Sequence, residues 1–438
     1  MPVSEYIYPN SLIVRAREAW LGGSDDQWVR TLLPSDDHLR DFMDVAYHAS
    51  FQREERRGIA FRIGYFTQEY LQRFQNPRIS NAPQFIPFLS PRPFTTGELM
   101  RLAPAVDSTK AMLVVQDDDQ GLQISGILDF GRKWWAMRRG EDAEGGAYAP
   151  PFVFTLTSFE PGNLIVSREG VELLILRNGS LSTPVSSILY EGPVASFFSV
   201  PHHEFYNEVC GKLRLPNFTG DADDNYPIRY FNDFLLGLLM RVQELGHGGS
   251  ILIVRDEIHH RDSRLTDRLS IKYPCDMSRT WQVLREECVL FKEYFTHNTE
   301  MWDKPEITQA EFHKDTRNAT ARRELREAHD DLMTFVSGLT AVDGAVVLSD
   351  RLRLLGFGAE ITAQSPTLVS VAKARDTGMM NVSTVPIDAY GTRHRSAFRF
   401  CSTLEDAVAF VISQDGGVKA VKRVGAHVVV WHDLDVTT

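Results

Sequence analysis

Cysteine is scarce in this chain of 438 residues. Cys210, Cys275, Cys288 and Cys401 stand far apart and form no CxxC pair. That spacing argues against a disulfide framework or a zinc ribbon, so the thiols read as free and structural. Long apolar runs are missing too. No stretch approaches the roughly 18 apolar residues that span a bilayer, and no membrane partner is expected. The opening residues, MPVSEYIYPNSLIVRAREAW, lack the basic start and apolar run of a signal peptide, so the expected location is the cytoplasm. Positive charge is in deficit as well, with a net charge of −11. That balance argues against bulk nucleic-acid binding, yet it leaves room for a small anionic ligand held by a local basic cluster. The chain has no internal repeat and no low-complexity tract.

What is present is ordinary for a soluble globular protein: 43% hydrophobic and 24% charged residues, in a length that predicts two or three domains. Near the start, SDDHLRDFMDVAYHASFQREERR predicts a helix capped by Ser35, with Leu39, Phe42, Met43 and Ala46 on one face. IAFRIGYF follows as a strand. NPRISNAPQFIPFLSPRP, rich in proline, reads as a loop or linker. FTTGELMRLAPAVD offers Thr95 or Thr96 as a second helix cap. AMLVVQ, LQISGILDFG, FVFTLTS, NLIVSREG and VELLILRNG then read as short strands between turn formers. The acidic string FTGDADDNYP marks a boundary. This reading expects an α+β domain over 1–222 and an α/β domain over 223–438, the latter a mixed central sheet flanked by helices. In the second, RYFNDFLLGLLMRVQELGHGG, RTWQVLREECVLFKEYF and ATARRELREAHDDLMTFVSGL read as helices. SILIVR, GAVVL, RLRLLGFGAEI, AVAFVIS, VKAVKR and AHVVVW read as strands.

One point breaks the acidic balance. Residues 390–398 read YGTRHRSAF. Gly391 permits a tight turn and Thr392 can cap a helix, which places Arg393, His394 and Arg395 in its first turn. Free backbone N–H groups and the helix dipole favour an anion there, and two guanidiniums add charge-assisted bonds to phosphate oxygens. Alone, such a pair reads more readily as surface salt bridges. Upstream, Asp343 ends TAVDGAVVL at the start of a strand. Its carboxylate suits either a divalent metal or the orientation of a ribose 3′-hydroxyl, and Gly344 lets a nucleotide approach the backbone. Asp-Gly by itself is also a common turn.

Together, VDGAVVL followed by GTRHRSA and DAVAFVISQDGGVKAV resembles the diadenylate cyclase family, which joins two ATP molecules into cyclic di-AMP and releases two pyrophosphates. The resemblance spans roughly residues 229–435. It implies catalytic roles for Asp343, Arg393, His394 and Arg395. It further implies substrate contacts from Gly344, Ala345, Gly391, Thr392, Ser413 and Gln414, and Mn2+ or Mg2+ held by Asp343, His394 and Asp415. Each protomer would hold one ATP, with two cyclase domains face to face in a homo-oligomer. Where the family has Ser-Glu-Glu-Thr-Gly, this chain has Ser413, Gln414 and Asp415. Asp415 either supplies the missing carboxylate or forms only the hairpin turn with Gly416. The family's Leu-Pro segment on the adenine side is not recognisable between Gly358 and Gly391. YHASFQREERRGIAFRI and FTTGELMRLAPAVD resemble a sensor module called DACNV, found ahead of such cyclase domains, whose ligand is unknown.

The expectation is therefore a diadenylate cyclase regulated by its N-terminal domain. The alternatives are a nucleotide-binding signalling protein with weak or no catalysis, or a nucleotidyltransferase making a different dinucleotide. Other features carry less. The pairs His202-His203 and His259-His260 are adjacent, and neighbours on a strand point to opposite faces, so a shared metal is not expected. Asn178 and Asn217 sit in glycosylation-type triplets that mean little in a cytosolic chain. Trp134-Trp135 reads as core packing or as a ligand platform. ARRELREAHDD reads as a solvated helix face.

Overall fold

The structure is a computed structural model that describes residues 9–22, 27–54, 57–74, 83–108, 110–119, 121–130, 151–158, 161–169, 171–177, 179–185, 188–214, 225–302, 309–414, 417–434 and 436. Trp134, Trp135, Asn178, Asn217, Asp415 and Gly416 lie outside the described residues, as does most of FTGDADDNYP. Internal contacts divide the chain into two units, Met1–Pro184 and Val185–Val436. Both are mixed α/β. The helix Gly192–Leu213 belongs to the second unit, upstream of the boundary expected at 222/223. Its Phe197, Phe198, Phe205 and Val209 share a core with Phe231, Phe234 and Leu235 of the next helix. Pro201 inside this helix and an exposed Val200 blur its periodicity, which is why the sequence pattern left it unassigned.

In the first unit, a two-stranded ribbon of β1 (Arg53–Glu54) and β2 (Arg57–Gly58) precedes an eight-stranded sheet. Its strands are β3 (Phe61–Tyr65), β4 (Gln84–Pro93), β5 (Ala111–Asp118), β6 (Gly121–Asp129), β7 (Phe154–Ser158), β8 (Leu164–Arg168), β9 (Val171–Arg177) and β10 (Ser180–Ser182). They lie in the order β10-β9-β8-β7-β3-β5-β6-β4. Only the β3–β5 pair is parallel among them. The predicted first-domain helix spans Asp36–Ser50 and ends short of its expected QREERR tail, where Arg53–Glu54 and Arg57 belong to β1 and β2. Leu39, Phe42, Met43 and Ala46 are fully buried, and Phe42 stacks on Phe94 at 5.3 Å between ring centroids. Ser35 accepts from the His38 N–H at 3.3 Å, as a helix cap should. Ser35→Ala is expected to cost about 1 kcal/mol; chemical denaturation checks it, and an unchanged midpoint would show that the cap contributes nothing.

The proline-rich segment is not wholly a loop: Gln84–Pro93 forms β4, paired with β6. β4 is the outermost strand, and its register shifts between Pro87 and Arg92. An edge strand with an irregular register tolerates residues that cannot donate to the ladder, so Pro87, Pro91 and Pro93 fit there.

Among the described residues, the second unit is built on nine strands: β11 (Gly249–Val254), β12 (Leu269–Met277), β13 (Ala345–Ser349), β14 (Leu354–Ile361), β15 (Ser370–Ala374), β16 (Val382–Pro386), β17 (Ala407–Ile412), β18 (Val418–Val424) and β19 (His427–Trp431). Their order is β12-β14-β13-β11-β17-β18-β19-β15-β16, with β11 parallel to β13 and β15 parallel to β19. β12, β15 and β16 had no sequence assignment. β12 and β16 are the mostly exposed edges, where alternation is weakest.

Central strands are buried on both faces, so their near-continuous apolar runs sort by parity. Ile251, Ile253, Val346, Leu348, Val408 and Phe410 meet the helices Gly192–Leu213, Tyr226–Glu244, Arg279–Trp302 and Gln309–Leu339. Leu252, Val254, Ala345, Val347, Ala409 and Val411 face the other way, toward the helix Thr392–Thr403. The ARRELREAHDD face is partly buried rather than solvated. Arg322 and His329 are buried, and His329 Nδ1 lies 2.5 Å from Glu287 Oε2. Helices on several sides enclose that stretch, and a buried polar group persists there because it is paired.

Candidate active site at one end of the second sheet

Strand direction brings together motifs that are distant in sequence. β11 runs parallel to β13, with Ile251 opposite Val346, so Gly249 stands level with Gly344. β11 runs antiparallel to β17, with Gly249 opposite Ile412. Consequently His247-Gly248, Asp343-Gly344 and Ser413-Gln414 share one end of the sheet.

The helix Thr392–Thr403 reaches the same end. Ala397, Phe398, Phe400 and Cys401 anchor it in the core on one face of the sheet. Arg393 extends along Gly248: a Cβ placed on Gly248 would lie 2.6 Å from Arg393 Nη1 and 3.1 Å from the Gln414 backbone nitrogen. Gly248 thus leaves the space that the guanidinium occupies.

Gly391, not Thr392, is the N-cap. Arg395 N–H donates to Gly391 O at 3.1 Å, and Thr392 is the first helical residue. Among the described residues, no side chain caps this end. Thr392 Oγ1 instead accepts from Arg395 Nη2 at 3.4 Å. The φ of −67° at Gly391 suits any residue, so its glycine is not a turn requirement; a Cβ there would meet open space. Arg395 Nη1 lies 3.8 Å from Asp388 Oδ1, while its Nε is buried without a hydrogen-bond partner among the described residues. Arg393 and Arg395 therefore point to different neighbours.

His394 Nε2 lies 3.4 Å from Ser413 Oγ, and Lys419 Nζ donates to the same oxygen at 3.3 Å. The Tyr390 ring sits 5.8 Å from His394, with its hydroxyl 2.9 Å from His432 Nε2. Burial pushes the Tyr390 phenol up to about 12, so it stays protonated. Lys419, Tyr390 and His432 escaped the sequence reading. Tyr390 adjoins GTRHR and could have been singled out by proximity; Lys419 lies within DAVAFVISQDGGVKAV but has no role assigned to it there, and His432 carries no motif.

Asp343 and Gly344 are exposed, and Ala345 is buried in the core. Any contact from Ala345 to a ligand must come from its backbone. Gly344 has φ +116°, and a Cβ there would fall 2.5 Å from the Gly358 carbonyl carbon. Its glycine is required by the close approach of β14, a packing reason beyond the nucleotide access expected of it.

Among the described residues, no three His, Cys, Asp or Glu side chains come together to hold a metal. Asp415, one of the three donors that the resemblance names, lies outside the described residues. No step below is routed through a metal. His202 is on a helix rather than a strand, with Nε2 2.9 Å from Asn232 Oδ1, and burial depresses its pKa to about 4. It is an interior histidine with a partner.

No curated protein matches this chain. The family described as "Probable sensor domain DACNV" matches residues 29–129, a span that holds the helix Asp36–Ser50 and strands β3 to β6, so the first unit is similar to a sensor domain.

Proposed function

We propose that the chain is a diadenylate cyclase whose N-terminal unit senses a ligand and regulates it. The observation that carries this reading is the convergence of Asp343-Gly344, the Arg393 guanidinium and Ser413-Gln414 at one sheet end, beside a helix N-terminus that no described side chain caps. The sensor-domain match supports it, because DACNV is linked to diadenylate cyclase proteins.

In this reading the first turn of the helix and Arg393 bind phosphate oxygens of ATP. Arg395 stabilises charge from the flank. Asp343 accepts or orients the ribose 3′-hydroxyl proton as that oxygen attacks the α-phosphate of the second ATP. Pyrophosphate leaves, and the same step in reverse orientation closes the ring. Two sites are needed, so the cyclase units face each other in a homo-oligomer. Mn2+ or Mg2+ enters only through the family resemblance, with Asp343, His394 and Asp415 as the donors it names; such an ion would neutralise phosphate charge. The cytoplasm is the proposed location.

The test is incubation of the full chain with ATP and Mn2+ or Mg2+, with cyclic di-AMP and pyrophosphate read by mass spectrometry and a phosphate assay. GTP and ATP–GTP mixtures run in parallel. ATP binding without any dinucleotide would replace the cyclase with the second reading, a nucleotide-binding regulator. Gln414 favours that alternative, since it stands where the family has a glutamate. A linear or mixed-base product would instead change the reaction assigned.

A further inference from the structure

The residues at the sheet end serve phosphate and ribose, and none of them is assigned to the base of the nucleotide. The strand order β12-β14-β13-β11-β17 sets where the base must go. Arg393, Gly248 and the Gln414 backbone stand at the ends of β11 and β17. Asp343 lies just before β13. A nucleotide with its phosphates at the first group and its ribose at Asp343 carries its base to the far side of β13, toward β14 and β12.

That side holds a stacked aromatic pair. Tyr273 of β12 stands directly opposite Phe357 of β14, with ring centroids 4.9 Å apart and planes 24° from parallel. Phe357 packs against the core that the four long helices cover, which holds the inner ring in place. Tyr273 is 43% exposed on an outermost strand. Lys272 Nζ lies 5.4 Å from its ring centroid, at the tip of a flexible side chain that can give way. The pair adjoins Asp343-Gly344 through one glycine. A Cβ on Gly358 would lie 3.2 Å from Tyr273 Cδ2, and a Cβ on Gly344 would lie 2.5 Å from the Gly358 carbonyl carbon. A single residue of β14 therefore separates the ring from Gly344. An exposed ring braced from below is a rigid apolar surface, which suits a flat aromatic ligand.

We propose that Tyr273, backed by Phe357, is the surface on which the base of the bound nucleoside triphosphate stacks. This rests on the reading of the site as a nucleotide cradle. It puts the base side of the site on a pair of strands rather than in a Leu-Pro segment. Every base has a π-face, so this contact grips adenine and guanine alike and does not choose between them.

The test is calorimetry in EDTA, on the full chain, with ATP and with inorganic tripolyphosphate, which has no base. Tyr273→Ala and Tyr273→Leu should each weaken ATP by about tenfold or more, the scale of a lost base stack, and leave tripolyphosphate unchanged. Tyr273→Phe and Tyr273→Trp keep a ring and should retain the ATP affinity. Thermal unfolding identifies any variant that fails to fold, and the two non-aromatic replacements guard against one doing so. Wild-type ATP affinity in the Ala and Leu variants, with Arg393→Ala weakened for both ligands, would overturn the role of Tyr273 and leave the cradle intact. Equal loss of ATP and tripolyphosphate would overturn it too, since the change would then have distorted the site rather than removed a base contact. If wild type binds neither ligand, the cradle itself fails and the stacking surface with it.

Discussion

Asp343→Asn should bind ATP with nearly wild-type affinity yet lose dinucleotide formation by at least about a hundredfold, the scale of a lost general base. Asparagine keeps the size of the side chain and its exposed position at the start of β13, so the fold has no reason to change. What disappears is the carboxylate's ability to take the hydroxyl proton. Triphosphate binding is assigned to other groups, namely Arg393 and the first turn of the helix Thr392–Thr403. Calorimetry and pyrophosphate release separate the two effects. Full activity in the variant would remove Asp343 from the chemistry. Loss of ATP binding would move it into the cradle. Because each bond joins nucleotides from two protomers, excess Asp343→Asn should also suppress wild-type turnover once subunits exchange. A demonstrated monomer with undiminished activity would rule out the face-to-face arrangement.

Gly344→Ala is expected to be the most destabilising single-methyl change near the site, by about 3 kcal/mol or more from backbone strain and overpacking together. The φ of +116° is one that L residues rarely adopt. The added Cβ would also lie 2.5 Å from the Gly358 carbonyl carbon and 2.7 Å from the Ala359 nitrogen. Both obstacles are backbone, so neither can swing away as a side chain would. The register irregularity between β13 and β14, just after Ala345, places the two chains in this tight approach. Gly391→Ala is the matched comparison: its φ is ordinary and its Cβ would meet nothing within 4 Å. It should cost at most about 1 kcal/mol, the scale of an altered cap. Chemical denaturation, with hydrogen exchange at β13 and β14, measures both. Equal stability of the two variants would mean that β14 yields to a side chain at position 344.

Local pattern was enough to read the helices and strands that alternate or cap strongly. Ser35 and the face of Leu39, Phe42, Met43 and Ala46 announced their helix, and the runs of β11, β13 and β17 announced buried strands. Such signals are local because side-chain periodicity and capping are set by the backbone within a few residues. The motif residues were legible for the same reason, as short strings. Long-range pairing decided the rest. Pro87, Pro91 and Pro93 belong to a strand because β4 is at an edge. His329 is buried because other helices enclose it and Glu287 pairs with it. Thr392 lost its capping role to Gly391. Lys419 joined Ser413 and His394 through strand register and the helix that packs over it. Periodicity records which face a residue takes, whereas the neighbour across that face depends on how distant segments pack, and the contact of Lys419 with Ser413 exists only through that packing.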